Sequence, residues 1–212
     1  MHNVTSHPFC LRLAVTPGVS SSQLSALLAL HRAEAPEVAV TFFEVTGEEL
    51  RAGLREGRYD AGVSLQVFGD PDLRTQPLWT EIMAVALPPR FRLLERGKLT
   101  LSDLKDYPVY RWQEEVCPLL DEQLVALMPL DQQNVQRVTS FEMMALWVAA
   151  GYGVGIAAHS RIVRAHGWGL SMRPLADGPY EVVTYLQRPH VQVEATDRFE
   201  RRALQVAKAG SP

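Results

Sequence analysis

Three short stretches combine hydroxyl side chains with the predicted start of a helix, an arrangement that can bind an anion. They read SSSQ (20–23), TGEE (46–49) and TSFE (139–142), each with Ser or Thr three residues before Glu or Gln. This spacing is the capping box, in which the hydroxyl accepts from a backbone N–H of the first helical turn. Helix starts also leave N–H groups at the positive end of the helix dipole, which favours a bound anion. Either role, an ordinary cap or an anion site, fits the sequence.

An arginine beside an aromatic residue is the second candidate binding group. Arg111 follows the strand-like run PVY and precedes Trp112, while Phe141 lies within the third helix start. A guanidinium binds a carboxylate through two parallel hydrogen bonds, and aromatic rings form the apolar walls of small-molecule pockets. The alternative interpretation of Arg111 is a surface arginine at the end of a strand.

The stretch AAGYGVGIA (149–157) places three glycines at alternate positions, as a phosphate-binding loop does. A dinucleotide fingerprint, however, needs its glycines after a strand and before a helix, because the phosphate rests on that helix's N-terminus. Here the glycines follow a helix-like run and precede a strand-like one. We therefore predict that Gly151 ends the helix in the left-handed conformation, and that Gly153 and Gly155 permit close packing of the next strand.

Signatures of catalysis and of metal binding are weak. The sequence has no G-x-S-x-G, H-E-x-x-H or P-loop pattern, and its six histidines lack the spacing of metal ligands. Cys117 lies near a predicted helix start, where the pKa of a thiol can fall, although a buried inert thiol is the simpler interpretation. We expect no enzyme activity, no metal and no cofactor.

Composition indicates a soluble globular protein. Of the 212 residues, 47% are apolar and 21% are charged, and the net charge is −3. This balance argues against a surface dedicated to nucleic acid, which normally carries a basic excess. Cys10 and Cys117 lie too far apart in sequence to suggest a disulfide framework, and neither a signal peptide nor a membrane span is evident. We expect a cytoplasmic protein with no membrane partner.

The elements that position these groups alternate between strands and helices. Strand-like runs at 10–15, 38–45 and 60–65 are separated by helix-like segments, which predicts a βαβαβ unit with a parallel sheet. The run 38–45, VAVTFFEV, is almost continuously apolar, β-branched or aromatic, which predicts a strand covered on both faces. A crossing segment at 78–88 leads to a second half that repeats the alternation.

The three helix starts share one position relative to this predicted sheet. Each directly follows a parallel strand, so each lies at a strand's carboxyl end, where open α/β sheets bind their ligands. Two belong to the first half of the chain and one to the second, which predicts a binding crevice between the halves. Two crossing strands, around Ala86 and Val182, are expected to join them.

The order of these pieces resembles the effector-binding domain of LysR-type transcriptional regulators. Pro36 and Val38 match the family's P-x-V segment before a strand, and LREGRYD (54–60) matches its L-x-x-G-x-x-D segment. The runs LTLSDLKDYPVY (99–110) and VAAGYGVGIAAHS (148–160) match two further family segments. The resemblance covers about residues 10–208.

The family implies an α/β fold that is periplasmic-binding-protein-like, type 2: two Rossmann-like subdomains joined by two crossing strands. We therefore assign 8–208 to the domain, with 8–86 and 183–208 in subdomain I and 87–182 in subdomain II. The family's N-terminal winged helix-turn-helix would precede Cys10, so DNA binding is expected only through such a domain, absent from this chain. The effector positions carried over are Thr16, Gly18, Ser20, Ser21, Thr46, Gly47, Ser64, Arg111, Trp112, Thr139, Ser140 and Phe141.

The resemblance also implies a function. It predicts an inducer-sensing domain that binds a small organic anion in the interdomain crevice and transmits binding to the geometry of a homodimer or homotetramer. The segment 54–65 is most similar to members that sense intermediates of aromatic degradation, although Leu65 stands where those members often have arginine. Leu30, which falls off the stripe of Leu24, Leu27 and Leu28, is expected to contribute to self-association. A solute-binding protein of a transport system, and less so an enzyme on the same scaffold, are the alternatives.

Overall fold

The structure, a computed structural model, describes residues 10–113, 115–127, 134–191 and 193–209. The chain forms two compact units: unit 1 comprises residues up to Trp79 and from Val183 onward, and unit 2 comprises Thr80–Val182. The division after Trp79 lies within a strand that continues to Leu87, so the boundary expected at residue 86 falls near the end of that same strand.

Unit 1 contains the βαβαβ arrangement that the sequence predicts. Its strands run in the order β2-β1-β3-β9; β1, β2 and β3 are parallel, and β9 is antiparallel to β3. The carboxyl ends of the three parallel strands therefore share one edge of the sheet. The elements are β1 (Cys10–Val15), α1 (Ser21–Glu34), β2 (Ala39–Glu44), α2 (Gly47–Arg55), β3 (Ala61–Ser64), the first part of β4 (Leu73–Leu87), the last part of β9 (Glu181–Pro189) and α6 (Glu194–Ala209).

One core cluster of unit 1 lies between its sheet and helix α2. Leu50 and Leu54, four residues apart and so on one face of α2, are buried against Ala14 and Tyr59. Gly62 permits this contact, because a Cβ at that position would come within 2.6 Å of Leu50 Cδ2. This packing fixes the first turn of α2, which directly follows β2.

The burial of strand β2 differs from the prediction. The apolar run predicted a strand covered on both faces, but β2 lies at the edge of the unit 1 sheet with β1 as its neighbour. Its side chains are exposed or half-buried, and Phe42 is 46% exposed. The prediction was wrong because an apolar run indicates that a strand needs cover without saying which element supplies it.

Unit 2 has a second mixed sheet. Its strands run in the order β4-β7-β5-β6, with β8 also paired to β4; β5, β6 and β7 are parallel. The elements are the rest of β4, β5 (Val109–Trp112), α3 (Pro118–Leu127), β6 (Val135–Val138), α4 (Phe141–Ala149), β7 (Val154–Ala158), α5 (His159–Arg164), β8 (Ser171–Pro174) and the start of β9. The short helix α5 was not predicted, because six residues are too few to reveal a helical period.

The glycine stretch is a structural turn, as predicted. Gly151 follows α4 with a φ of +85°, the left-handed conformation that glycine adopts without strain. A Cβ at Gly153 would come within 2.3 Å of the Pro108 carbonyl oxygen, and one at Gly155 within 3.0 Å of Met144 Sδ. The glycines therefore serve the packing of β7 against β5 and α4.

Cys10 and Cys117 are free cysteines, and Cys117 is buried. Burial raises the pKa of the Cys117 thiol, so the effect of the nearby helix start does not prevail. Within the described ranges, no group of three or more His, Cys, Asp or Glu side chains is placed to hold a metal ion. No helix in those ranges has the length and apolar character needed to cross a membrane.

Candidate functional site

In each unit, the predicted site residues gather where parallel strands end. In unit 1 the segment 16–20 follows β1, Thr46 and Gly47 follow β2, and Ser64 ends β3. In unit 2, Arg111 and Trp112 end β5, and the segment 139–141 follows β6. Each sheet thus brings its own set together at the end where its parallel strands terminate, as the sequence predicted for strand carboxyl ends. We call this end the ligand edge of each unit.

Two of the three predicted helix caps lie at the predicted residue. Ser20 is the N-cap of α1, but its hydroxyl makes no capping hydrogen bond and instead lies 3.2 Å from Ser22 Oγ. Thr46 is the N-cap of α2, and its Oγ1 accepts from Glu49 N at 3.3 Å. The side chain of Ser21 lies outside the described part of the chain. The hydroxyl of Ser20 therefore caps no backbone N–H, and its contact is with a side chain of the same helix.

The third cap is one residue later than predicted. Ser140, with extended backbone, is the N-cap of α4, and its Oγ accepts from Met143 N at 3.1 Å. Thr139 is exposed, and its carbonyl oxygen accepts from Trp112 Nε1 at 3.1 Å. The prediction chose Thr139, the first of two adjacent hydroxyl residues. It was wrong because the spacing to Glu142 does not determine whether Thr139 or Ser140 is the last residue before the helix. The hydroxyl of Thr139 consequently has no capping role.

Ser64 is fully buried and anchors the turn after β3. Its hydroxyl donates to the Gln66 carbonyl oxygen at 2.8 Å and accepts from Gln187 Nε2 at 2.7 Å. Gln187, on the neighbouring strand β9, was not predicted; its Oε1 has no hydrogen-bond partner among the described residues. Gly47 allows this turn to approach α2, because a Cβ there would come within 3.3 Å of Gln66 Oε1. Contact of Ser64 with an effector remains a prediction.

Arg111 lies inside unit 2 rather than on its surface. Only 1% of the residue is exposed, Nη1 donates to Asp121 Oδ1 at 2.6 Å, and Nη2 donates to the Glu115 carbonyl oxygen at 2.8 Å. Burial lowers the pKa of Arg111, and Asp121 and Glu115 oppose that effect. Both terminal nitrogens therefore join β5 to the chain at α3, and contact of Arg111 with an effector remains a prediction.

A second arginine, Arg161 on α5, lies against the predicted aromatic residues. Its guanidinium carbon is 4.7 Å from the centre of the Trp112 ring and 5.4 Å from the centre of the Phe141 ring. Both rings are buried, whereas the Arg161 side chain is 20% exposed. Cation–π contacts of this kind are stronger for partly desolvated groups than for exposed ones.

The carboxylate of Glu115 is the buried partner of Arg161. Arg161 Nε lies 3.3 Å from Glu115 Oε1, and the backbone N–H of Ala158 donates to both carboxylate oxygens at 3.3 and 3.2 Å. Burial raises the pKa of Glu115 to about 7, although Arg161 and the Ala158 amide favour its charged form. A carboxyl group and a guanidinium thus lie together beside the predicted site.

The sequence interpretation missed both Glu115 and Arg161. A signal for Arg161 existed, because the strand-like run after the glycines was predicted to belong to the sheet of the second half. Ligands bind at the carboxyl ends of such strands, so the residues just beyond Ala158 belong to the ligand edge, as Trp112 does. Glu115 gave no comparable signal, because two adjacent acidic residues before a helix-like run are normally solvated.

Comparison with known proteins identifies the family and the fold of this chain. Residues 10–207 match the family model described as the LysR substrate binding domain. The effector binding domain of BenM with its effector benzoate has a TM-score of 0.81 at 19% identity, covering 98% of this chain and 97% of that one. The effector binding domain of QuiR in complex with shikimate gives 0.80 at 17%, covering 97% and 100%. A full-length BenM mutant gives 0.83 at 20%, covering 98% and 70%.

These structural likenesses confirm the predicted fold class, the periplasmic-binding-protein-like fold of type 2. At identities of 17–20% these likenesses show the fold alone. The ligand class is therefore inferred from the side chains of this chain.

Proposed function

The chain belongs to the family of LysR substrate-binding domains, and on this premise we propose that its effector is a small organic acid. The acid is aromatic or derived from aromatic degradation, and it binds where the parallel strands end. Binding changes the geometry of an oligomer of a LysR-type regulator whose DNA contacts are made by a separate domain. The observation that carries this proposal is the cation held against two aromatic rings at the ligand edge of unit 2.

The groups at that edge suit an aromatic carboxylate. Trp112 and Phe141 are buried rings that form an apolar wall, and Arg161 supplies a positive charge against them at the less buried margin. The exposed hydroxyl of Thr139 adds a neutral hydrogen-bonding group at the neighbouring strand end. A pocket with a mostly apolar lining and few polar groups is the usual form of a small-molecule site.

The hydroxyl and N–H groups of unit 1 also favour an anionic ligand. The hydroxyl of Ser20 caps nothing, and it stands at the start of the fourteen-residue helix α1, where the helix dipole favours negative charge. Thr46 marks a similar position on α2. We propose that these hydroxyls and N–H groups bind the oxygen atoms of the effector.

The ligands named for two of the similar structures are consistent with this class. BenM holds benzoate and QuiR holds shikimate, and both compounds are carboxylates on a six-membered ring. A carboxylate paired with a ring also matches the arginine and tryptophan of unit 2.

A panel of acids tests the proposal by thermal shift. We expect at least one of benzoate, salicylate, shikimate, cis,cis-muconate and hexanoate to raise the melting temperature of the 212-residue chain. At 100 times its Kd a ligand stabilises the fold by about 2.7 kcal/mol, which corresponds to roughly 5–10 °C for a domain of this size. Ser20→Ala combined with Thr139→Ala should shrink that shift.

The matched control removes one exposed hydroxyl from each unit away from the strand ends, Ser25→Ala with Ser102→Ala, and should respond as the wild type does. The proposal is wrong if only neutral or cationic compounds stabilise the chain. The anion-binding role of the hydroxyls is wrong if the Ser20 and Thr139 double variant keeps the full shift.

We also propose that the domain forms a homodimer or homotetramer. An apolar groove of about 600 Å³ between α1 and the edge strand β2 supports this, since contiguous exposed apolar surface marks protein contacts. Leu30 is half-buried on the same helix α1 but is not among the residues that line the groove. Light scattering that finds only monomer at about 100 μM would contradict this, because such interfaces reach micromolar affinity. The groove is lined by Leu28, His31, Arg32, Ala35, Pro36, Val38, Val40 and Phe42.

A further inference from the structure

We propose that the groove between α1 and β2 of one copy of the chain receives the exposed face of α4 from a second copy, and that Arg32 pairs there with Glu142 of the partner subunit. The inference rests on the proposed self-association and deepens it, because it names the surface that fills the groove and the charges that orient that surface.

One face of α4 is both apolar and exposed. Met143, Leu146 and Trp147 follow the i, i+3, i+4 spacing of one helix face, and they are 42%, 63% and 38% exposed. The opposite face of α4 packs into the core of unit 2. No charged residue occurs between residues 143 and 152. A helix that is apolar on its outer face as well as its inner face is typical of a contact with another protein.

Aromatic neighbours hold the centre of this face in position. Trp147 stacks on the buried ring of Tyr110, with the ring centres 6.1 Å apart and the ring planes at 13°. Tyr152 contacts the Trp147 ring edge-on, with the ring centres 4.9 Å apart. Because these contacts already restrict Trp147, binding a partner costs little of its side-chain freedom. Tryptophan and tyrosine are also the side chains that most often anchor protein interfaces.

The groove of unit 1 has the complementary form. It is a concave surface of about 600 Å³, and its lining is mainly apolar. One face of α1, at the i, i+3, i+4, i+7 spacing, carries Ser25, Leu28, Ala29 and Arg32. Leu28 and Arg32 line the groove. The Ser25 hydroxyl donates within its own helix, to the Ser22 carbonyl oxygen at 3.1 Å. Ser25 and Ala29 are exposed and small, so a second helix with bulky side chains can approach α1 closely.

Charge favours an antiparallel approach of the two helices. Arg32 is in the last turn of α1 and Glu142 in the first turn of α4, and both are exposed. Neither has an ion-pair partner among the residues that the structure describes, whereas Glu34, in the same turn as Arg32, accepts from Arg202 at 2.9 Å. Antiparallel packing brings the last turn of α1 beside the first turn of α4, and so brings the two unpaired charges together. A parallel approach would place Arg32 beside the uncharged end of α4.

An exchange of charges tests this orientation, with sedimentation equilibrium of the 212-residue chain as the measurement. Arg32→Glu and Glu142→Arg should each weaken self-association by about 10-fold, because each places like charges against one another. The chain that carries both substitutions should return to within about threefold of the wild type, since it restores a pair of opposite charges.

Leu146→Glu tests the apolar contact separately. It should weaken self-association by about 10- to 100-fold, as the loss of a central apolar anchor does. Val125→Glu is the matched control, because Val125 is 57% exposed on α3 of the same unit and the substitution adds the same charge. That variant should associate as the wild type does. Each of these positions is exposed, so the fold tolerates the substitutions.

The possible outcomes separate the two claims. If the wild type stays monomeric at about 100 μM, the proposed self-association fails and the inference fails with it. If the wild type associates and Leu146→Glu associates as tightly, α4 is not in the contact and the inference alone is overturned. If neither single charge variant weakens association, or if the double variant is no tighter than either one, the pairing of Arg32 with Glu142 is overturned.

Discussion

The ligand edges of the two units share a topology but differ in chemistry. Each is formed by the carboxyl ends of three parallel strands, β1, β2 and β3 in unit 1 and β5, β6 and β7 in unit 2. In unit 1 the predicted positions carry hydroxyls and glycines, and Ser64 joins Gln66 and Gln187, which were not predicted, in a neutral network. In unit 2 they carry Arg111 and two aromatic rings, and the structure adds Arg161 and the buried Glu115, which were not predicted.

The difference teaches that strand topology decides where a ligand site can form, whereas packing decides which charged group is available in it. Arg111 and Arg161 stand on neighbouring strand ends with the same side chain. One is enclosed by α3 and its carboxylate, and the other lies at the margin of the core. Charge should therefore dominate stability effects at the strand ends of unit 2, while substitutions at the strand ends of unit 1 should have smaller and charge-independent effects.

The largest expected effect comes from removing Arg111. Arg111→Gln leaves Asp121 and the Glu115 carbonyl without their buried donor, so the free energy of unfolding should fall by about 3 kcal/mol. Urea denaturation measures the change. Arg137→Gln is the matched control, because Arg137 also pairs with Asp121 at 3.1 Å but its side chain is 50% exposed. That variant should lose less than about 1 kcal/mol. Equal losses from Arg111→Gln and Arg137→Gln would mean that the burial of Arg111 adds nothing to the stability of the fold.

A smaller effect, dependent on pH, is expected from Glu115. Its pKa is raised to about 7 in the folded chain, from an ordinary 4.5, so the neutral form is favoured by folding. The groups around it are Arg161, Arg111, Glu81 and the Ala158 amide. Its contribution to stability is therefore fully present below pH 4.5 and is lost as the pH rises through 7.

Comparison with Glu115→Gln isolates this titration, because all other groups are common to both proteins. The stability of the wild type relative to the variant should fall between pH 5 and pH 8, by at most about 3 kcal/mol. Denaturation curves at the two pH values measure the difference. A difference that stays constant, or that grows in favour of the wild type at pH 8, would mean that Glu115 is already ionised at pH 5.

The smallest effect is expected in unit 1, from Ser64→Ala. The substitution removes the acceptor of Gln187 Nε2 but leaves the Gln66 carbonyl as a second acceptor at 2.7 Å. The hydroxyl also donates to the Gln66 carbonyl oxygen and accepts from Gln66 N, so the free energy of unfolding should fall by about 1–2 kcal/mol, a loss that should not depend on salt. Ser25→Ala, at an exposed position of α1, serves as control and should change stability by less than about 0.5 kcal/mol. A loss as large as that of Arg111→Gln would contradict the contrast between the two edges.

Local sequence was sufficient where short-range geometry governs the outcome. The context of Gly151, after a helix-like run and before a strand-like run, predicted its left-handed conformation, because only glycine adopts it without strain. The cap at Thr46 was predicted in the same way, from a hydroxyl placed three residues before an acidic residue. The alternation of strands and helices likewise predicted the parallel sheets and the edge at which the site residues gather.

Local sequence failed where the answer depends on neighbours from distant parts of the chain. The apolar run of β2 predicted burial on both faces, yet the strand is the outermost of its sheet. The prediction failed because the sequence of one strand does not determine the order of strands in the sheet. The shift of the third cap from Thr139 to Ser140 is a smaller failure of the same origin, because the contact of the Thr139 carbonyl with Trp112 involves another strand.

The sequence by itself determined the alternation of strands and helices and most of the residues gathered at the strand ends, because these follow from periodicity, capping and chain order. The type of α/β fold came from the family resemblance. Tertiary structure alone decided that Arg111 is enclosed, that Glu115 is buried with a raised pKa, and that Arg161 lies over Trp112 and Phe141. The reason is physical: the burial of a long charged side chain depends on which helices and strands pack around it, and those neighbours come from segments separated along the chain.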